Sequence, residues 1–244
     1  MNRAFQSYNI STATVAPFYS PSGAKLTLQE SNPLTSALPI SMNVACNSTC
    51  SFANPGYWGI DVQPYEYTGE FYVFGSYSGN IVASLVSNIT GEVFATTTIP
   101  TTSTTNGWTH VTYTLQPSAA APNSNNSLLI SFDGSKATAG SLNFNFISLF
   151  PPTYDNQPNG MRIDLMNALA DLNPSFIRMP GGNNMEGNGP LEGSPAWPWN
   201  MTIGPLIDRP GHMGAWVSAV FFVPDRARTC IVAPKLELHY IHHY

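Results

Sequence analysis

The 244-residue chain is 43% hydrophobic and 12% aromatic, ample for a core, yet only 9% of it is charged, against roughly a quarter in an average soluble protein. Ser, Thr and Asn carry the surface instead, and the many Thr, Val, Tyr and Phe point to a β-rich, extracellular protein. A net charge of −5 without a basic cluster argues against nucleic acid, and no apolar run approaches the ~20 residues that cross a bilayer.

Residues 1–23 form an N-terminal segment whose start, "MNRAFQSYNI", lacks the apolar stretch of a signal peptide. Five Asn-x-Ser/Thr sequons, at Asn9, Asn47, Asn88, Asn125 and Asn200, pull towards secretion. The two agree if the true N-terminus lies upstream. Cys46 and Cys50 bracket "NST" and either close a small disulfide loop or stay as two thiols. Cys230 has no evident partner, and zinc needs more ligands at ordered spacing. No cofactor or metal is expected.

From residue 24 to 150 the chain reads as short alternating strands between turn residues. The clearest are 69–78 ("GEFYVFGSYS"), 81–86, 92–99, 108–115, 127–132 and 142–150 ("LNFNFISLF"). Strands at this spacing without helical periodicity predict a β-sandwich or jelly roll. The strip "YVFGSY" (72–77) alternates faces, so half of it belongs to the core. Tyr57, Trp58, Tyr65 and Tyr67 are candidate platforms for sugar rings, with burial the expected fate of Trp58.

At residue 151 the texture changes. After the turn-rich "PPTYDNQPNG", apolar Met161, Leu165, Ala168, Leu169 and Leu172 recur at helical spacing. Asn159 can cap the start, Asp164 suits the first turn, and Asn173-Pro174 ends the helix. "SFIRM" (175–179) follows as a buried strand, a helix feeding a strand as in α/β folds. Functional residues gather at the carboxyl ends of such strands, where Arg178 lies. Pro180 stops the ladder, Gly181 and Gly182 permit close approach, and Asn183 and Asn184 present amides that both donate and accept. That set suits a neutral polyol. It also fits a plain loop in which Arg178 pairs with Glu186 and the asparagines cap a helix. From 217 to 244 the tail resembles neither preceding part, and His239, His242 and His243 near its end read as a frayed terminus.

Beyond these local readings, "SLFPPTYDNQPNGMRIDLMNALADLNPSFIRMPGGNNMEGN" (148–188) and "WPWNMTIGPLIDRPGH" (197–212) closely resemble consecutive segments of the fungal α-L-arabinofuranosidases of glycoside hydrolase family 51. "NRAFQ" (2–6), the Asn-Pro-Leu at 32–34 and the sandwich pattern fit the region before them, so the resemblance covers roughly residues 2–216. It implies a jelly-roll-like β-sandwich, mainly β overall, followed at 151–216 by an incomplete fragment of a (β/α)8 barrel. It implies release of terminal arabinofuranosyl residues from arabinose-containing plant cell-wall polysaccharide, outside the cell. In that family the residues matching Arg178 and Asn183 hold the arabinofuranosyl ring, and the aromatic matching Trp199 lies near the sugar subsite. Glu186 is assigned to loop structure.

The same resemblance marks what these residues lack. The family's retaining mechanism uses two glutamates about 5–5.5 Å apart, the acid/base one inside an Asn-Glu pair, and this sequence contains no such pair. Beyond residue 188 its acidic residues are Glu192, Asp208, Asp225 and Glu237, none in a matching context. A barrel takes about 250 residues, and the strand that precedes the sandwich in the family is missing as well. The expectation is a truncated, inactive member of the family. The alternative is a non-catalytic carbohydrate-binding β-sandwich.

Overall fold

The computed structural model describes residues 4–5, 15–16, 18–176 and 204–209. Among the described residues ten strands run in the order β1 (Ser20–Ser22), β2 (Lys25–Gln29), β3 (Ser41–Ala45), β4 (Thr49–Asn54), β5 (Tyr67–Phe74), β6 (Tyr77–Ser87), β7 (Val93–Ser103), β8 (Thr109–Leu115), β9 (Asn126–Asp133) and β10 (Ser141–Phe150). They form two five-stranded antiparallel sheets, ordered β1-β4-β9-β6-β7 and β2-β3-β10-β5-β8. Consecutive strands repeatedly switch sheets, which is how a jelly roll avoids long exposed edges. The expected mainly β sandwich is present.

Strand alternation builds the core. β8 reads half-buried, exposed, buried, exposed, buried, exposed, buried from Thr109 to Leu115, one face to the core and the other to water. At the centre sits Phe144 of β10, fully buried. Its ring lies 5.0 Å from Phe52 on β4, 5.7 Å from Phe132 on β9 and 5.7 Å from Phe71 on β5. One aromatic thus stitches the two sheets together, at offset distances that aromatic pairs favour.

β10 is buried almost throughout because it is covered on both faces. Its register with β5 shifts between Asn145 and Ser148, and Phe146 there takes a positive φ of 51°. The buried Asn145 side chain holds this bulge: its amide donates to Ile40 O (3.0 Å) and its Oδ1 accepts from Phe146 N (2.7 Å). The bulge re-aims the strand. Ile147 joins the inner core, whereas Phe146 joins a second cluster with Ala4 and Leu38, against which Leu34, Tyr72, Leu206 and Ile207 pack.

The stretch 69–78, expected as one strand, is the end of β5 and the start of β6. Gly75 turns the chain there at φ 131°, where a Cβ would come within 2.9 Å of Leu142. Of the four strands between residues 20 and 54, β2–β4 lie within the stretch expected to be strands but were not located one by one, being short, and β1 precedes it. Cys46 and Cys50 are joined in a disulfide.

Beyond Pro151 the described residues hold one α-helix, α1 (Ile163–Asp171). Asn159 does not cap it: it sits at φ 53° in the preceding turn, and Arg162 occupies the cap position without a side-chain cap bond. Arg162 instead pairs with Asp164, whose carboxyl this hydrogen bonding holds below its ordinary range. Asn173, at φ 45°, closes the helix as expected. The apolar face differs from the predicted one. Met166 is the buried side chain, while Leu165 and Leu172 are exposed. Phe176, expected inside a buried strand, is 79% exposed. No helix among the described residues is long and apolar enough to cross a membrane.

Candidate functional site

Arg178, Asn183 and Trp199, together with Pro180, Gly181, Gly182, Glu186, Glu192 and Asn200, lie outside the described residues. What is described of their two sequence segments is the approach to the first, ending at Phe176, and the later part of the second. Leu206–Asp208 form a single 3₁₀ turn, and Leu206 and Ile207 pack on the outer cluster of the sandwich. The Thr35 hydroxyl donates to Ile207 O at 2.6 Å and accepts from Leu38 N at 3.2 Å. The "WPWNMTIGPLIDRPGH" segment is therefore anchored on the sandwich at this point.

The face that receives this anchor carries a polar group the sequence reading missed. On β5 and β8, Tyr72 and His110 are direct cross-strand partners, and their rings stack at 4.5 Å and 14°. His110 Nε2 meets Glu70 Oε2 at 2.8 Å, a diagonal pair across the two strands. Burial first, then the Glu70 charge, pushes the Tyr72 hydroxyl up. The signal in the sequence was the alternate set Glu70, Tyr72, Phe74 on one strand facing His110 and Trp108 near the other. Its meaning depended on a strand register that only the fold supplies.

The candidate platforms sort differently from expectation. Trp58, expected to be buried, is 85% exposed, and Tyr57 is 71% exposed. Their rings lie 5.8 Å apart and nearly perpendicular at 80°. Trp58 has a left-handed φ of 62°, between Gly56 and Gly59 with φ of 68° and 96°, and that conformation holds its ring away from the core. The loop beneath is fixed. Asn54 Oδ1 accepts from Gly56 N (2.8 Å), Asn126 Nδ2 donates to Ile60 O (2.9 Å), and Ala121 N donates to Val62 O (2.9 Å). Gly59 abuts Ser124 so closely that a Cβ would lie 1.9 Å from its carbonyl oxygen.

Tyr67 is not a platform. It is buried, its hydroxyl donates to Asp61 O and accepts from Gln63 N, and its ring packs on Tyr65 at 5.0 Å. It braces the loop that carries Trp58. In the strip 72–77, Val73 and Tyr77 are core while Tyr72 and Phe74 face outwards, the expected division. Among the described residues no group of three or more His, Cys, Asp or Glu is placed to hold a metal.

A family profile described as an alpha-L-arabinofuranosidase 1 domain matches residues 168–220. Alpha-L-arabinofuranosidase A of Aspergillus niger is 42% identical over 197 residues, which make up 79% of this chain and 31% of that protein. A probable alpha-L-arabinofuranosidase A of Aspergillus terreus is 38% identical over 195 residues, 78% of this chain and 30% of that protein. The chain thus spans about a third of the length of these relatives. Among solved structures, an arabinose-bound α-L-arabinofuranosidase, MgGH51, superposes with a TM-score of 0.79 at 37% identity, over 89% of this chain and 36% of that one.

Proposed function

We propose that this chain, a homologue of the fungal α-L-arabinofuranosidases of glycoside hydrolase family 51, carries the sandwich and one sugar-holding wall of such an enzyme, and that the 244-residue polypeptide is itself catalytically silent. The observation that carries the family part of this reading is the 42% identity over 197 residues. The substrate class is terminal α-L-arabinofuranosyl groups on arabinan or arabinoxylan, met outside the cell. Low charge and five sequons support that location.

Arg178 and Asn183 hold the arabinofuranosyl ring: the guanidinium supplies fixed donors, and the amide both donates and accepts. Trp199 offers an apolar face beside it. Retaining hydrolysis needs one carboxylic acid to protonate the departing oxygen and one carboxylate to attack the anomeric carbon. No Asn-Glu pair exists in the sequence to supply the first. Of the later acidic residues only Asp208 is described, in the 3₁₀ turn anchored on the sandwich.

Binding without catalysis follows, and it is weak. Neutral hydrogen bonds contribute about 0.5–1.5 kcal/mol each and those of a charged arginine about 1.5–3. Immobilising a sugar cancels most of that. The arabinose Kd is then no better than about millimolar. Titrating arabinose while following the backbone amide resonances of Gly181–Asn184 tests this. Small shifts without saturation below millimolar sugar are expected; micromolar saturation that Arg178→Ala abolishes overturns the incomplete-site reading.

A second reading, a non-catalytic carbohydrate-binding sandwich, is favoured by one observation. Tyr57 and Trp58 stand side by side in solvent on a braced loop, and flat apolar rings of this kind receive the C–H face of a sugar.

A further inference from the structure

Three of the five sequons, at Asn47, Asn88 and Asn125, fall on described residues, and two of these meet. Asn88 Nδ2 donates to Asn125 Oδ1 at 3.0 Å, and the Asn88 backbone N–H donates to Asn125 O at 2.9 Å. Ser127, the hydroxyl residue of the Asn125 sequon, donates from Oγ to Asn88 Oδ1 at 2.7 Å. Both asparagines are exposed.

The two sequons are not equivalent. That of Asn125 continues into β9: Asn126 is fully buried, with its amide bonded to Ile60 O and Asn123 O, and Ser127 is 2% exposed. Once β9 pairs with β6, the hydroxyl a glycosyl transfer needs beside the acceptor is enclosed. The Asn88 sequon lies instead in the turn between β6 and β7, and its Thr90 is exposed. A substituted amide keeps one N–H, so Asn88 carrying a sugar retains its donation to Asn125 and its acceptance from Ser127. Ile89 in this turn and Val93 at the start of β7 are 65% and 55% exposed, two large apolar side chains turned mostly to solvent.

We propose that Asn88 is an N-glycosylation site, that its glycan shields Ile89 and Val93, and that Asn88 and Asn125 are not modified on the same molecule. In the transfer, Asn88 Nδ2 attacks C1 of an oligosaccharide carried on a lipid pyrophosphate. The N–C1 bond forms and the C1–O bond to pyrophosphate breaks. The lipid pyrophosphate leaves with the electron pair, and the amide proton passes to a base of the transferase. The exclusion rests on contact: with Asn88 Nδ2 only 3.0 Å from Asn125 Oδ1, a pyranose ring on each carboxamide would crowd the other. Asn88 also emerges first from synthesis, 37 residues ahead of Asn125.

The full chain, preceded by a secretion signal and expressed in an N-glycosylating yeast, tests this through glycopeptide mass spectrometry. Residue 88 is expected to be occupied, residue 125 bare in the same molecules, and retention on a hydrophobic column to rise when the glycan is removed enzymatically. Thr90→Ala, which removes the Asn88 sequon but not the Asn88 side chain, should abolish glycan at 88. Occupancy of 125 with 88 bare in the unaltered chain, of both on one molecule, or of neither overturns the proposal. Unchanged column retention overturns the shielding part.

Discussion

Thr35 and Ile207, 172 positions apart, are joined by a 2.6 Å hydrogen bond from the threonine hydroxyl to the isoleucine carbonyl. The same hydroxyl accepts from Leu38 N, so one atom fixes both the loop before β3 and the later anchored turn. Thr35→Val keeps the shape and removes both bonds. A loss of about 1–2 kcal/mol is expected, with faster amide exchange at Arg209, whose N–H closes the turn on Leu206 O. Exchange unchanged at Arg209 would mean that apolar packing alone holds the turn.

Phe144 should dominate the core. Phe144→Ala removes a fully buried ring that touches rings on three other strands and should cost about 3–5 kcal/mol. Denaturant unfolding of the chain measures it. A cost near that of a surface change would contradict the two-sheet packing.

The buried phenols set an alkaline limit. Burial pushes the hydroxyls of Tyr19 and Tyr113 well above their ordinary value. An acid whose pKa is raised in the fold stabilises the fold fully below the unfolded pKa, about 10, and that contribution is lost as pH rises past it. Stability should therefore fall above pH ~10. In a spectrophotometric titration, part of the tyrosine absorbance should then rise only together with unfolding. Smooth titration of every tyrosine in the native state would contradict their burial.

Trp58 separates backbone strain from ligand binding. Its left-handed φ costs an L-residue about 1–2 kcal/mol, which glycine avoids. Trp58→Gly should therefore be more stable than Trp58→Ala by about 1 kcal/mol. Under the carbohydrate-binding reading, both should lose retention on insoluble arabinoxylan. Retention unchanged in both variants would sink that reading while leaving the enzyme-fragment reading intact.

The sandwich was legible in sequence because its later strands alternate over seven or more residues, as 109–115 does. The strands before residue 54 were not, since three to six residues carry too little periodicity. The bulge at Phe146 was passed over for a different reason: "NFNFI" breaks its alternation only at Phe146-Ile147, and what that break means depends on the Asn145 side chain reaching Ile40 O. The helix was placed within two residues, but its buried face was misassigned, because apolar spacing says which residues could be buried and not what covers them. Trp58 was expected inside on hydrophobicity, and a local left-handed turn reversed that. Arg178 and Asn183 were singled out by local turn chemistry and by resemblance, Trp199 by resemblance alone, and the proposed sugar-holding role of all three rests on that resemblance.

Incubating the purified 244-residue chain with an aryl α-L-arabinofuranoside and following release of the phenol tests the proposed catalytic silence. No turnover above a mock-purified control is expected on the proposed reading, under which these residues supply neither the acid/base nor the nucleophile of a retaining mechanism. Turnover by the chain that disappears in the Glu186→Gln, Glu192→Gln double variant would contradict this and would make a catalytic carboxylate of Glu186 or Glu192, to neither of which a catalytic role has been assigned.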